Sequence, residues 1–88
     1  MKATIEISMY PLTNDYIKEV DAFIRSLYKY KVEVKTNYSS TLVIGEYNDL
    51  MEAVKAEMFE SFKRGKASFV MKVLPGDLSQ DVDIDGYH

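Results

Sequence analysis

Residues 35–47, KTNYSSTLVIGEY, set six side-chain hydrogen-bonding groups in a row, from Thr36, Asn37, Tyr38, Ser39 and Ser40 to Thr41, directly before an apolar run. Side chains of this kind fix a small, flat, polar ligand by donating and accepting along its edge. They also close turns. Asn, Ser and Thr bond nearby backbone in Asx- and ST-type turns where a tight hairpin would use glycine, and the segment has no glycine before Gly45. Both readings fit the residues. Ser8 and Tyr10, at the end of an earlier alternating segment, share the pocket of the first reading if the two segments pair, since same-face side chains on adjacent antiparallel strands lie within about 5 Å.

Little else in the chain suggests chemistry. The single histidine is the last residue, His88, so there is no positioned histidine base and no nucleophile triad. Gly45, Gly65, Gly76 and Gly86 are isolated, which rules out a glycine-rich phosphate loop. Glu57 and Glu60 are paired acids at helical spacing, expected on a solvated face. Asp81, Asp83, Asp85 and Gly86 imitate the start of a calcium loop but lack its twelfth-position Glu, so a charged terminus is expected and no metal site. There are no cysteines. The expectation is a non-enzymatic binding module without a cofactor.

The net charge of −3 and the even spread of the 11 Lys and Arg residues argue against a nucleic-acid partner. Apolar runs fall far short of the roughly 20 residues that span a bilayer, and MKATIEISMY alternates where a signal peptide would be continuously apolar. A cytoplasmic protein with no membrane partner is expected. A domain of 88 residues builds only a thin core, which favours self-association as a dimer or tetramer.

The elements follow from periodicity. ATIEISMY (3–10) alternates, with Ile5, Ile7 and Met9 on one face and Glu6, Ser8 and Tyr10 on the other. Thr13 or Asn14 is expected to cap a helix whose Ile17, Val20, Ile24 and Leu27 form an apolar stripe, with Tyr16 and Phe23 beside it and Lys18, Glu19, Asp21 and Arg25 opposite. KVEVK (31–35) and TLVIGEY (41–47) read as strands. Asn48 or Asp49 should cap a second helix lined by Leu50, Val54, Met58 and Phe62, with Gly65 in the left-handed position after it. ASFVMKVL (67–74) is the last strand, ended by Pro75 and Gly76.

The order β-α-β-β-α-β with right-handed crossovers predicts an α+β ferredoxin-like sandwich: a four-stranded antiparallel sheet with two helices on one face. The domain is expected over 1–76, with 77–88 as an acidic tail. The other sheet face, carrying Glu6, Ser8, Tyr10, Glu33, Lys35, Val43 and Tyr47, should lie open to a partner chain or a ligand.

ISMYPLTNDY (7–16), VKTNYSSTLVIGEYNDLMEAVKAEM (34–58) and FVMKVLPGDL (69–78) together resemble the YkoF-type family of thiamine- and hydroxymethylpyrimidine-binding proteins. The shared pattern is a first strand ending in S-x-Y-P, a Thr/Asn/Asp-containing turn, then S-T and a glycine in the third strand. The resemblance implies a ferredoxin-like fold that binds the aminopyrimidine half of thiamine without reacting on it. It assigns ligand binding to Ser8, Tyr10, Thr36, Asn37, Ser40 and Thr41. Tandem members carry two such repeats, so two copies of this chain would pair to make the equivalent unit. Asn37 stands where tandem members often have an aspartate, and a neutral amide holds a cationic thiazolium less well.

A thiamine- or hydroxymethylpyrimidine-binding homo-oligomer is therefore expected. The alternatives are an oligomerisation domain with a purely structural turn and a regulatory small-molecule sensor. An enzyme of acylphosphatase type ranks last, because YPLTND has neither the basic residue nor the glycine of an anion-cradling loop.

Overall fold

A computed structural model describes residues 1–37 and 39–78. Tyr38, the calcium-loop-like Asp81, Asp83, Asp85 and Gly86, and His88 lie outside the described residues. The elements are β1 (Lys2–Pro11), α1 (Tyr16–Leu27), β2 (Glu33–Thr36), β3 (Thr41–Glu46), α2 (Tyr47–Arg64) and β4 (Ala67–Pro75). They form one antiparallel sheet in the order β2-β3-β1-β4. The sandwich is ferredoxin-like.

Alternation decides which side chains are buried. Ala3, Ile5 and Ile7 of β1 and Val43 of β3 meet Phe23 and Leu27 of α1 and Leu50, Ala53 and Val54 of α2 in the core. Val43 thus lies under the helices, because the register sets it opposite Ile5. It is not on the open face. Tyr47 is not in a strand at all but begins α2. The opposite face is also less open than its pattern suggests. Thr4 and Ile44 are buried there, and Thr4 Oγ1 donates to the Gly76 carbonyl (2.8 Å) and accepts from the Leu78 amide (3.1 Å). The segment after β4 thus folds back over one end of that face.

The helix ends depart from the sequence expectation for a common reason: neither helix uses a side-chain cap. Helix α1 starts after Asp15, while Thr13 accepts only the Asp15 amide (3.3 Å). Helix α2 starts directly after Glu46, in extended conformation, which leaves Asn48 and Asp49 inside the first turn. Gly65 ends α2 with extended backbone (φ 165°), not left-handed. Strand β2 starts two residues later than expected and ends one later, at Glu33–Thr36. Gly45 has a packing role: a Cβ there would meet the Lys31 carbonyl oxygen at 3.2 Å and Val32 Cγ1 at 3.3 Å.

The helix stripes are rotated from their expected positions. Phe23 and Leu27 carry the α1 contact, leaving Ile17 70% exposed, and Phe62 of α2 is exposed beside the Phe69 ring (5.6 Å). Glu57, expected in solvent, is only 5% exposed. It accepts a hydrogen bond from Tyr30 Oη (2.7 Å) and pairs with Lys29 Nζ (3.1 Å). Burial pushes the Glu57 carboxyl up, but the hydrogen bonds from Tyr30 and Lys29 outweigh that and hold it below the usual carboxylate range. The same hydrogen bond to Glu57 is the main cause that pushes the Tyr30 hydroxyl from 10.0 up to about 12.

The acid–base signs follow from these shifts. Between pH 10.0 and about 12 the unfolded chain loses the Tyr30 proton while the fold keeps it, so stability falls through that window. At the acid end, the stability owed to Glu57 is lost as pH falls through its lowered folded value. Tyr30→Phe leaves a buried carboxylate short of a donor and is expected to cost about 1–3 kcal/mol at neutral pH. In chemical denaturation the gap between wild type and variant should narrow across the alkaline window, and a constant gap would refute the assignment.

Candidate functional site

The groove begins where strand pairing stops. Strand β1 pairs with β4 from Ala3 to Pro11, but its pairing with β3 ends at Ile7 opposite Thr41. Among the described residues, that edge of β1 has no strand partner from Ser8 onward, and an unpaired edge presents backbone N–H and C=O groups. The 37–40 turn closes one side of the gap and α1 the other. Between them lies a groove of about 620 Å³.

The turn holds itself. The Asn37 amide donates to the Ser40 carbonyl (3.0 Å), and Asn37 Oδ1 accepts from the amides of Ser39 (3.1 Å) and Ser40 (2.9 Å). This is an Asx-type closure, and it performs the task a hairpin glycine would have had. Ser40 Oγ donates to Glu6 Oε2 (3.3 Å). Ser8 Oγ donates to the Ser39 carbonyl (2.8 Å) and so ties the turn to β1. The turn-closing reading of the hydroxyl-rich segment therefore holds for Asn37.

Ser8, Tyr10, Asn37, Ser40 and Thr41 all line the groove. Thr41 is 6% exposed, at its floor. Thr36 does not join them. It pairs with Thr41 on the side away from β1 and lines a neighbouring recess with Asp21, Ile24, Arg25 and Tyr28. The wall opposite the turn consists of residues with no expected site role: Tyr16, Ile17, Val20, Asp21 and Ile24 of α1. Asp21 is the notable member, its Oδ2 accepting from Arg25 Nε at 2.7 Å. The exposed rings of Tyr10 and Tyr16 stand at this groove as well.

Chemically the groove offers hydroxyls, one side-chain amide, one carboxylate, two phenol rings and an apolar wall. That suits a flat heteroaromatic with a polar edge. Among the described residues, no group of three His, Cys, Asp or Glu side chains is placed to hold a metal ion, and no helix is long and apolar enough to cross a membrane.

The sequence profile of the YKOF-related family matches residues 2–79. No curated protein matches the chain. Among solved structures, a hypothetical protein from Methanocaldococcus jannascii superposes with a TM-score of 0.82 at 20% identity, covering 99% of this chain and 98% of that one. A protein from Streptococcus pneumoniae gives 0.81 at 25% identity, with 97% and 99% covered. A provisionally assigned thiamine biosynthesis/salvage protein from Thermotoga maritima gives 0.81 at 18% identity, with both chains covered in full.

The turn geometry makes a direct prediction. Asn37→Ala removes the acceptor of two backbone amides and should lower stability by about 1 kcal/mol. Asn37→Asp keeps that acceptor and should lose much less. Equal losses in denaturant midpoint would show that the Asx closure does not stabilise the turn.

Proposed function

The chain belongs to the YKOF-related family, and from that premise we propose that it is a binding protein whose groove takes thiamine or its hydroxymethylpyrimidine moiety. The observation that carries this reading is the convergence of Ser8, Tyr10, Ser40 and Thr41 on one groove of about 620 Å³, a volume within the usual range for small-molecule sites. An aminopyrimidine offers an amino donor and ring-nitrogen acceptors along one edge. The hydroxyls and the unpaired β1 edge supply complementary groups, and Tyr10 or Tyr16 supplies a stacking face. The Thermotoga maritima protein's assignment to thiamine biosynthesis or salvage points the same way. Asn37 has a smaller part than the resemblance implies, because its carbonyl oxygen is committed to the turn. Its side-chain NH₂ is the group it offers a ligand. Thr36 is left out of this site.

Binding without catalysis is the reading adopted. Titration calorimetry with thiamine and with hydroxymethylpyrimidine tests it. Wild type should bind both, and Thr41→Val, which removes only the hydroxyl, should weaken each by roughly two- to tenfold. An absence of heat with either ligand at high protein concentration would defeat the proposal.

Self-association through β4 is a second proposal, supported by a different observation. β4 is an edge strand of nine residues, and Val70, Met71 and Val73 are exposed on it, with Phe59 and Phe62 exposed on α2. Long apolar edges of this kind are normally covered. The occupant we propose is β4 of a second copy, paired antiparallel about a two-fold axis. Light scattering should then report a dimer or tetramer, and Val70→Lys with Met71→Lys should shift it towards the monomer. A monomeric wild type would rule this out.

A further inference from the structure

Resting on the binding role just proposed, we infer that Asp21 makes the groove select a positively charged, unphosphorylated ligand over its phosphate esters. Among the described lining residues Asp21 is the one acidic side chain, and none of them is Lys or Arg. Asn37, the other candidate for recognising charge, is neutral and bonded into its own turn.

The surroundings of Asp21 suit the role. Ile17 and Ile24 flank it along the helix wall and offer apolar surface to a ligand that reaches the carboxylate. The tyrosine rings add a face that attracts cations. Arg25 holds Oδ2, but both partners are largely exposed, and such i,i+4 pairs are weak enough to yield to a bound cation. Among the described residues, Oδ1 carries no hydrogen bond. A phosphate in the groove would instead face this carboxylate, and the Arg25 guanidinium beside it is already engaged by Oδ2.

One feature opposes the inference. The first turn of α1 has no side-chain cap, and free N–H groups at a helix start favour anions. Comparing thiamine with its esters therefore decides between the two ends of the helix wall.

The experiment is calorimetry of thiamine, thiamine monophosphate, thiamine diphosphate and neutral hydroxymethylpyrimidine against wild type, Asp21→Asn and Arg25→Gln. Wild type should bind thiamine more tightly than either ester. Asp21→Asn should weaken thiamine by roughly two- to fivefold and leave hydroxymethylpyrimidine within about twofold. Arg25→Gln should hold or strengthen thiamine. Both substitutions break the same 2.7 Å bond, so equal weakening by both would mark a merely structural pair and overturn the inference. Tighter binding of an ester, or no effect of Asp21→Asn on thiamine, would overturn it too while the binding role stood. Wild type binding neither thiamine nor hydroxymethylpyrimidine would end both.

Discussion

Strand β1 outruns strand β3, and much of the molecule's character follows from that mismatch. β4 needs the full length of β1, pairing with it as far as Pro11, whereas β3 reaches only Ile7. The chain entering β3 must therefore turn beside a stretch of β1 that has no partner on that side. Ser8 fastens the turn to β1, the Asx closure of Asn37 stiffens it, and α1 forms the facing wall. The groove is the space left between a sheet that stops early and a helix that does not.

The fold is largely legible in the sequence. β1 alternates cleanly, and the order of elements leaves few topologies that obey short, right-handed connections. Helix starts were not readable, because the rule used to find them assumes a side-chain cap and both helices begin without one. The site was readable in part. Ser8, Tyr10, Ser40 and Thr41 belong to strand ends whose pairing the topology dictates, so their meeting follows from the fold. Thr36 is adjacent to Asn37 in sequence yet falls on the wrong side of Thr41, a separation that depends on register.

The missed wall has a physical explanation. With Ile17, Val20, Ile24 and Leu27 taken as the buried stripe, Asp21 falls on the solvent side. Packing instead centres α1 on Phe23 and Leu27, which turns Ile17, Ile24 and Asp21 towards the groove. A helical repeat cannot tell a residue that faces the core from one that faces a cleft, since both are apolar. The burial of Glu57 is illegible in the sequence for a related reason. Its donors, Tyr30 and Lys29, come from a loop 27 and 28 residues earlier in the chain, and no local pattern shows that a carboxylate will find such partners.

The self-closing turn has an implication for how such a protein changes over time. Its hydrogen bonds are made internally and to β1, so the loop holds its shape without help from the groove's contents. Tyr10, Tyr16 and Ile17 contribute little to the core and are exposed at the rim. Substitutions at those three positions can accumulate at small expense to folding. A lineage carrying this scaffold can therefore change the shape and polarity of the groove's rim by trading those side chains, while the strand mismatch beneath them stays as it is.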